Sequence, residues 1–270
     1  MCQAVSMLAT KSGKIYWKMG IDSHDDLIKA FKDKDPLLKD SKEPPQNTFT
    51  RIEISPKNGD YLNPKKSNWQ FKLDEQIKPE WWDLFSIQGI DKCWGEWRKW
   101  KKEFYPLVNL KEAKKPINPI KIKHSDKVSK EELELLKEWA SIRASIGASI
   151  WDSIRDSIGA SIGDSIRLSI WDSIWDSIGA SIRDSIRASI RASIGDFIRL
   201  SIGASIWAYI GYLFKGIKKW KYTEKIETKG YPFMPAVKLW KKGLVPSYDG
   251  KVWRIHNMNK KAKVIWEGNI

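Results

Sequence analysis

A strict period of four residues runs through the middle of this chain. Residues 141–212 form 18 consecutive tetrads, with Ile at the second position of all 18 and Ser at the first position of 16. The third position holds only Arg, Gly or Trp, and the fourth holds mostly Ala or Asp. Codons for Arg, Gly and Trp can differ in the first base alone, which indicates expansion of a four-codon unit by slippage. A position that accepts a cation, an indole or no side chain is predicted to face solvent.

The period of four favours a β-solenoid over a helix. Residues four apart in an α-helix are about 400° apart, so an Ile stripe rotates by about 40° per tetrad and loses any fixed partner. The seven Gly of the array would also add about 7 kcal/mol of helix-propensity cost relative to Ala. If each tetrad formed one side of a coil, every Ile would point to the axis. The number of sides per coil stays open.

Two details refine this interpretation. The residues around Ile142 resemble a pentapeptide repeat shortened by one residue, and this resemblance implies that the bulky residue faces inward. The Asp of the fourth position must lie at corners or outside, because an unpaired buried carboxylate is costly. The helical alternative stays open, since Leu135, Trp139 and Ile142 follow helical spacing and would extend a helix into the first tetrads.

The flanks predict capping modules, so the expected fold is mainly β with four segments. These are an α+β domain at 1–113, a linker and capping helix at 114–140, the solenoid at 141–212 and a basic cap at 213–270. Strands are predicted at Ala4–Leu8, Lys14–Lys18, Thr50–Ile54 and Trp69–Leu73, and helices at Ser23–Phe31 and Pro79–Tyr105, the second with a break at Gly89. Ser129–Glu132 has the pattern of a capping box. Asp249-Gly250 predicts a hairpin within a short C-terminal meander.

The charge is strongly positive and unevenly distributed. Lys and Arg number 48 against 33 Asp and Glu, for a net charge of +15 and a pI near 9.6. The array is neutral, whereas residues 213–270 carry 14 basic and 4 acidic residues. We therefore expect a non-enzymatic interaction protein whose C-terminal module binds nucleic acid or an acidic protein. The predicted binding residues are Lys218, Lys219, Trp220, Lys221, Tyr222, Lys241, Lys242 and Arg254.

A second aromatic and basic pattern lies within the predicted helix Pro79–Tyr105 of the N-terminal domain. Trp94, Trp97, Trp100 and Phe104 recur every three or four residues among Arg and Lys. Interleaved rings and cations are typical of single-stranded nucleic-acid binding. The same spacing is typical of the apolar face of an amphipathic helix, and we favour this second interpretation.

Candidates for chemistry are few. Removal of Met1 would expose Cys2 as an N-terminal nucleophile, and the opening Met-Cys resembles class II glutamine amidotransferases, although the Gly that usually follows is replaced. An amide-processing enzyme dependent on Cys2 is thus one alternative function. His24 lies among Asp22, Asp25 and Asp26 and would suit acid–base chemistry or weak metal binding, but helix capping explains the cluster more simply. We predict no metal and no cofactor.

Nearly the whole chain resembles a group of uncharacterised phage and metagenomic proteins. They share an N-terminal Met-Cys, an array of Ser-Val/Ile-Trp/Arg-Asp/Ala tetrads, and a tail like the segment from Tyr231-Pro232-Phe233 through Arg254-Ile255-His256. The resemblance implies a phage connection and no particular activity. With two Cys and no long apolar segment, we expect a cytoplasmic protein without membrane contact, in the host cytoplasm if phage-encoded. Self-assembly into a homo-oligomer or a phage particle is the other alternative function.

Overall fold

The structure is a computed structural model that describes residues 5–38, 48–74, 79–147, 149–179, 182, 184–186, 196–228, 230–257 and 262–270. The helices are α1 (His24–Phe31), α2 (Trp82–Phe104), α3 (Leu110–Lys114), α4 (Lys130–Ile146), α5 (Ser149–Ile162), α6 (Asp164–Ile174), α7 (Asp196–Tyr212) and α8 (Met234–Lys241). The strands are β1 (Val5–Thr10), β2 (Ile15–Tyr16), β3 (Phe49–Pro56), β4 (Trp69–Leu73), β5 (Leu244–Tyr248), β6 (Trp253–Asn257) and β7 (Lys263–Gly268).

The described part of the array is helical, so the prediction of a mainly β solenoid is wrong and the fold is α+β. The Ile stripe rotates through only a limited arc in each helix, because the helices are short. Gly147 (φ +51°) follows α4 and Gly163 (φ +91°) follows α5, and both adopt the left-handed conformations that glycine tolerates best. Within α5, four Ile therefore rotate by only about 120°. This arc matches the apolar face of an ordinary packed helix.

The Ile side chains of the array that the structure describes are buried as predicted, except that of Ile146, which is half-buried. In α5, Ile150, Ile154, Ile158 and Ile162 are each at most 1% exposed. The third position is less uniform than predicted, because Arg167 and Trp207 are buried. Trp207 stacks on Trp171 with ring centroids 3.5 Å apart. Solvent exposure at the third position is therefore not a property of the repeat as a whole.

Contacts between Cα atoms divide the chain into two compact units. Unit 1 comprises Met1–Leu107 and Ile158–Ile170. Its antiparallel sheet has the order β2-β1-β3-β4, and α1 and α2 pack against β1. The predicted strands, the helix after Ser23 and the long second helix are confirmed, but α2 continues through Gly89 without a break.

Unit 1 also contains a helix cap that links distant parts of the sequence. The Asp22 carboxylate accepts a hydrogen bond from the Ser165 backbone N–H at 2.7 Å, at the first turn of α6. A Cβ at Gly163 would lie only 3.2 Å from the same carboxylate, in addition to its positive φ. A negative charge at a helix N-terminus satisfies unpaired N–H groups and stabilises the helix dipole. Asp22 thus acts as a structural residue.

Unit 2 comprises Val108–Ser157 and Trp171–Ile270. In it α8 packs against α4, α7 and β5, and β5-β6-β7 form an antiparallel sheet. The predicted capping box is confirmed, because Ser129 accepts from the Glu132 N–H while Glu132 accepts from the Ser129 N–H. The Asp249-Gly250 turn is confirmed as well, with Asp249 Oδ1 accepting from the N–H groups of Lys251 and Val252.

The burial pattern of α6 gives a matched test of the helical fold. Ile166 is 2% exposed and Leu168, two residues on, is 39% exposed. Ile166→Asp should lower the free energy of unfolding by about 4 kcal/mol, because it deletes packed methyl groups and buries a charge. Leu168→Asp should cost less than about 1 kcal/mol. Guanidinium unfolding followed by circular dichroism measures both, and equal losses would contradict this orientation of α6.

Candidate functional site

A lysine-rich loop follows α7 in unit 2, and we call residues 215–225 the basic loop. It contains Lys215, Lys218, Lys219, Lys221 and Lys225, all of them exposed, and one acidic residue, Glu224. Apolar residues alternate with the lysines and hold the segment down, since Ile217 and Trp220 are 9% and 8% exposed. Burial of these side chains turns the neighbouring ammonium groups outward.

Two hydrogen bonds and one ring contact fix the path of the basic loop. The Lys221 N–H donates to Ser157 Oγ at 2.9 Å, and the Tyr222 hydroxyl donates to Asp156 Oδ2 at 3.0 Å. Trp220 packs edge-on against Tyr231, with ring centroids 5.0 Å apart. The loop therefore has a defined backbone, and its lysines border an open groove of about 480 Å³ that is also lined by Thr223 and Pro232.

The other predicted basic residues are neutralised by carboxylates. Lys242 Nζ lies 3.3 Å from Glu132 Oε1, and Lys241 Nζ lies 3.2 Å from Glu112 Oε1. Arg254 contacts both Asp249 and Glu267 at 2.6 Å. Ion pairing of this kind lowers the charge available to a partner. The structure thus separates the predicted set into an exposed loop and a paired group.

Two of these carboxylates have pKa values well below neutral pH. Burial alone would raise the pKa of Glu132, but hydrogen bonds from the Ser129 N–H and the His124 ring lower it to about 2. The Val252 N–H, and after it the Arg254 guanidinium, lower the pKa of Asp249 to about 2. Both carboxylates stay ionised and continue to hold their cations.

Of the two rings in the predicted binding set, Trp220 is 8% exposed and Tyr222 is 45% exposed. Trp240 and Trp253 of the same C-terminal segment are 0% and 7% exposed. The rings of α2, namely Trp94, Trp97, Trp100 and Phe104, are also in the core. The interpretation of α2 as an amphipathic helix is therefore confirmed. A buried ring cannot accept a base, so Tyr222 is the only ring of the predicted binding set that remains accessible.

Sequence reasoning missed a serine–histidine pair in the C-terminal sheet. Ser247 Oγ lies 2.7 Å from His256 Nε2, the distance typical of a nucleophile and its base. Both side chains are 0% exposed, so no substrate reaches them. Burial, and secondarily the charge of Arg254, lowers the pKa of His256 to about 4. The pair is a buried hydrogen bond between β5 and β6.

Of the two cysteines, the structure describes only Cys93. Cys2 lies outside the described residues, so its proposed nucleophilic role stays a prediction. Cys93 is buried in α2, and burial raises the pKa of its thiol to about 12. A thiol that stays protonated at neutral pH is a poor nucleophile.

Comparison with protein-family models, with curated proteins and with solved structures found no match. Within the described parts of the chain, no helix has both the length and the apolar character needed to cross a membrane.

His256 makes stability depend on pH in a predictable direction. An unfolded histidine titrates near 6.5, so between pH 6.5 and 4 the unfolded chain binds a proton that the folded chain excludes. The contribution of His256 to the free energy of unfolding therefore has its full value above pH 6.5, and it falls as the pH decreases from 6.5 to 4. We expect the free energy of unfolding to drop by about 2–3 kcal/mol from pH 7 to 4.5.

Urea unfolding at a series of pH values measures this slope. His256→Gln keeps a hydrogen-bonding group beside Ser247 but does not titrate, so its slope over this range should be clearly smaller. An identical slope in both proteins would assign the pH dependence to other groups.

Proposed function

We propose that the protein binds the phosphate backbone of nucleic acid through the basic loop. This proposal rests on a difference in ion pairing among the predicted basic residues. Within the described part of the chain, the ammonium groups of Lys218, Lys219 and Lys221 have no carboxylate at ion-pair distance, whereas Lys241, Lys242 and Arg254 do. An exposed, unneutralised cluster of cations is the footprint of phosphate recognition.

The spacing of the lysines supports a backbone contact. Five Lys and one Glu give the basic loop a net charge of +4. Residues 218–221 span at most about 14 Å of extended chain, so their charges act together within about one or two Debye lengths at physiological salt. A polyanion with closely spaced phosphates would contact several ammonium groups at once and release counterions from each phosphate.

The environment of the rings predicts weak sequence preference. Bases are distinguished by contacts to their edges and held by stacking on exposed aromatic planes. Tyr222 is the accessible ring of the loop, and its hydroxyl is already bonded to Asp156. Phosphate contacts therefore dominate the proposed interaction, and strand or sequence identity has a small effect.

The salt dependence of binding tests this function. For a labelled single-stranded oligonucleotide, affinity should fall steeply between about 50 and 200 mM salt. Replacing Lys218, Lys219 and Lys221 together by Ala should reduce the slope of log K against log salt by about 2, since each phosphate contact on a single strand contributes about 0.7. Fluorescence anisotropy measures both quantities.

A charge-matched variant separates a site from general attraction. Replacing the exposed Lys11, Lys18 and Lys57 of unit 1 removes the same net charge and should leave the slope nearly unchanged. Equal effects of the two triple variants, or no binding at about 50 mM salt, would overturn the proposal. Tighter binding to polyglutamate than to the oligonucleotide would favour an acidic protein as the partner.

A further inference from the structure

Three ligand-type side chains from separate parts of the sequence meet in unit 1. His24 is the first residue of α1, Glu53 lies on β3, and Asp74 directly follows β4. One imidazole nitrogen and one oxygen of each carboxylate lie within 4.8 Å of one another. His24 is 4% exposed, and both acidic residues are half-buried. The arrangement thus combines a buried nitrogen ligand with two reachable carboxylates.

The sheet register explains why the carboxylates converge. Glu53 of β3 is paired with Lys72 of β4, and the Asp74 N–H continues this pairing by donating to the Arg51 carbonyl at 3.0 Å. Because side chains alternate along a strand, Lys72 and Asp74 lie on the same face as Glu53. The cap at Ser23 starts α1 so that His24 lies over this face.

The orientation of the His24 ring is fixed by the backbone. Its Nε2 lies 3.0 Å from the Ile52 carbonyl oxygen. Since a carbonyl can only accept, Nε2 carries the hydrogen and Nδ1 faces the carboxylates, 3.4 Å from Asp74 Oδ2. Histidine ligands of metals typically donate their second N–H to a backbone carbonyl or a carboxylate in just this way.

The spacing of the His24 and Asp74 ligand atoms also fits a metal ion. Two ligands bound at 2.0–2.1 Å to a tetrahedral ion are about 3.3–3.4 Å apart. The 3.4 Å between His24 Nδ1 and Asp74 Oδ2 agrees with this value. Glu53 offers a third ligand atom, because one of its carboxylate oxygens lies within 4.8 Å of both.

We propose that His24, Glu53 and Asp74 bind a divalent transition-metal ion of the zinc class. An imidazole in the ligand set favours such ions over magnesium or calcium, which prefer oxygen ligands. Two carboxylates balance the charge of the ion, and three protein ligands leave the fourth position to water. Lys72 Nζ, 3.7 Å from Asp74 Oδ1 and 65% exposed, moves into solvent when the ion binds.

The site differs from the acidic cluster that the sequence displays around His24. Asp25 and Asp26 are exposed on α1, and Asp26 pairs with Lys29 at 3.0 Å. Asp22 is used as the cap of α6. The ligands that accompany His24 come instead from β3 and β4.

Titration of the untagged, chelator-treated full-length protein tests the proposal. Isothermal calorimetry with Zn²⁺ should show one site, and Co²⁺ should give visible absorption bands whose intensity reports tetrahedral ligation. Glu53→Gln and Asp74→Asn preserve shape and should each weaken Zn²⁺ binding by about tenfold or more and reduce the Co²⁺ bands. Circular dichroism of the metal-free variants verifies their fold.

Two control variants test whether the loss of Zn²⁺ binding is specific to the proposed ligands. Asp25→Asn removes an adjacent carboxylate of the sequence cluster and should leave the affinity unchanged. Lys72→Gln removes a competing cation and should leave the affinity equal or higher. Absence of Zn²⁺ binding by the wild-type protein, or binding that is the same in Glu53→Gln and Asp74→Asn, would overturn the proposal. A rise of the wild-type melting temperature with Zn²⁺ that is lost in both variants would support it.

Discussion

Burial of an isoleucine at every fourth residue is the constraint on which the central part of this structure depends. A helix meets it only over a few tetrads, since the stripe rotates by about 40° each time. Glycine ends α4 and α5 before the arc exceeds one packed face. Some of the serines that precede the isoleucines are buried as well, and Ser205 satisfies its hydroxyl within the helix by donating to the Ser201 carbonyl at 3.2 Å, whereas Ser153 Oγ has no hydrogen-bond partner among the residues that the structure describes. Other serines of the same position, such as Ser141 and Ser145, are exposed, so the isoleucine position lines the core more consistently than the serine position does.

Local ion pairing, rather than net charge, determines which cations can reach a partner. The carboxylates that neutralise Lys241 and Lys242 belong to α3 and α4, elements distant in sequence from α8. They hold the C-terminal half of unit 2 together and remove those lysines from the accessible surface charge. The lysines of the basic loop are exposed for a different reason. Burial of Ile217 and Trp220 turns the side chains of the lysines between them toward solvent. The two groups look equivalent in sequence and differ in structure.

Features encoded within a few residues were predictable, and features that depend on distant contacts were not. Ser23, Ser129 and Asp249 each bond to a backbone N–H two or three residues away, so their motifs identify the helix starts and the hairpin. The fold of the array was not predictable in this way, because a period of four fits both a coil side and a short helix. The Asp22 cap joins residues 143 apart, and the partners of His24 lie on other elements. No local pattern distinguishes these residues from solvated acids.

The third position of the tetrad has different structural roles along the array, and this limits how the array can change. Gly147 and Gly163 end helices with positive φ, whereas Gly211 lies inside α7 and allows the close approach of Tyr231. Arg167 is buried beside Asp164, while Trp151 in the same repeat position is 40% exposed. Adding one tetrad between Ile158 and Ile162 of α5 would advance Gly163 and the start of α6 by about 6 Å relative to Ile158 and rotate them by about 40°. That shift would carry both away from the Asp22 carboxylate that caps α6. The Asp22 cap therefore limits the length of the part of α5 that belongs to unit 1.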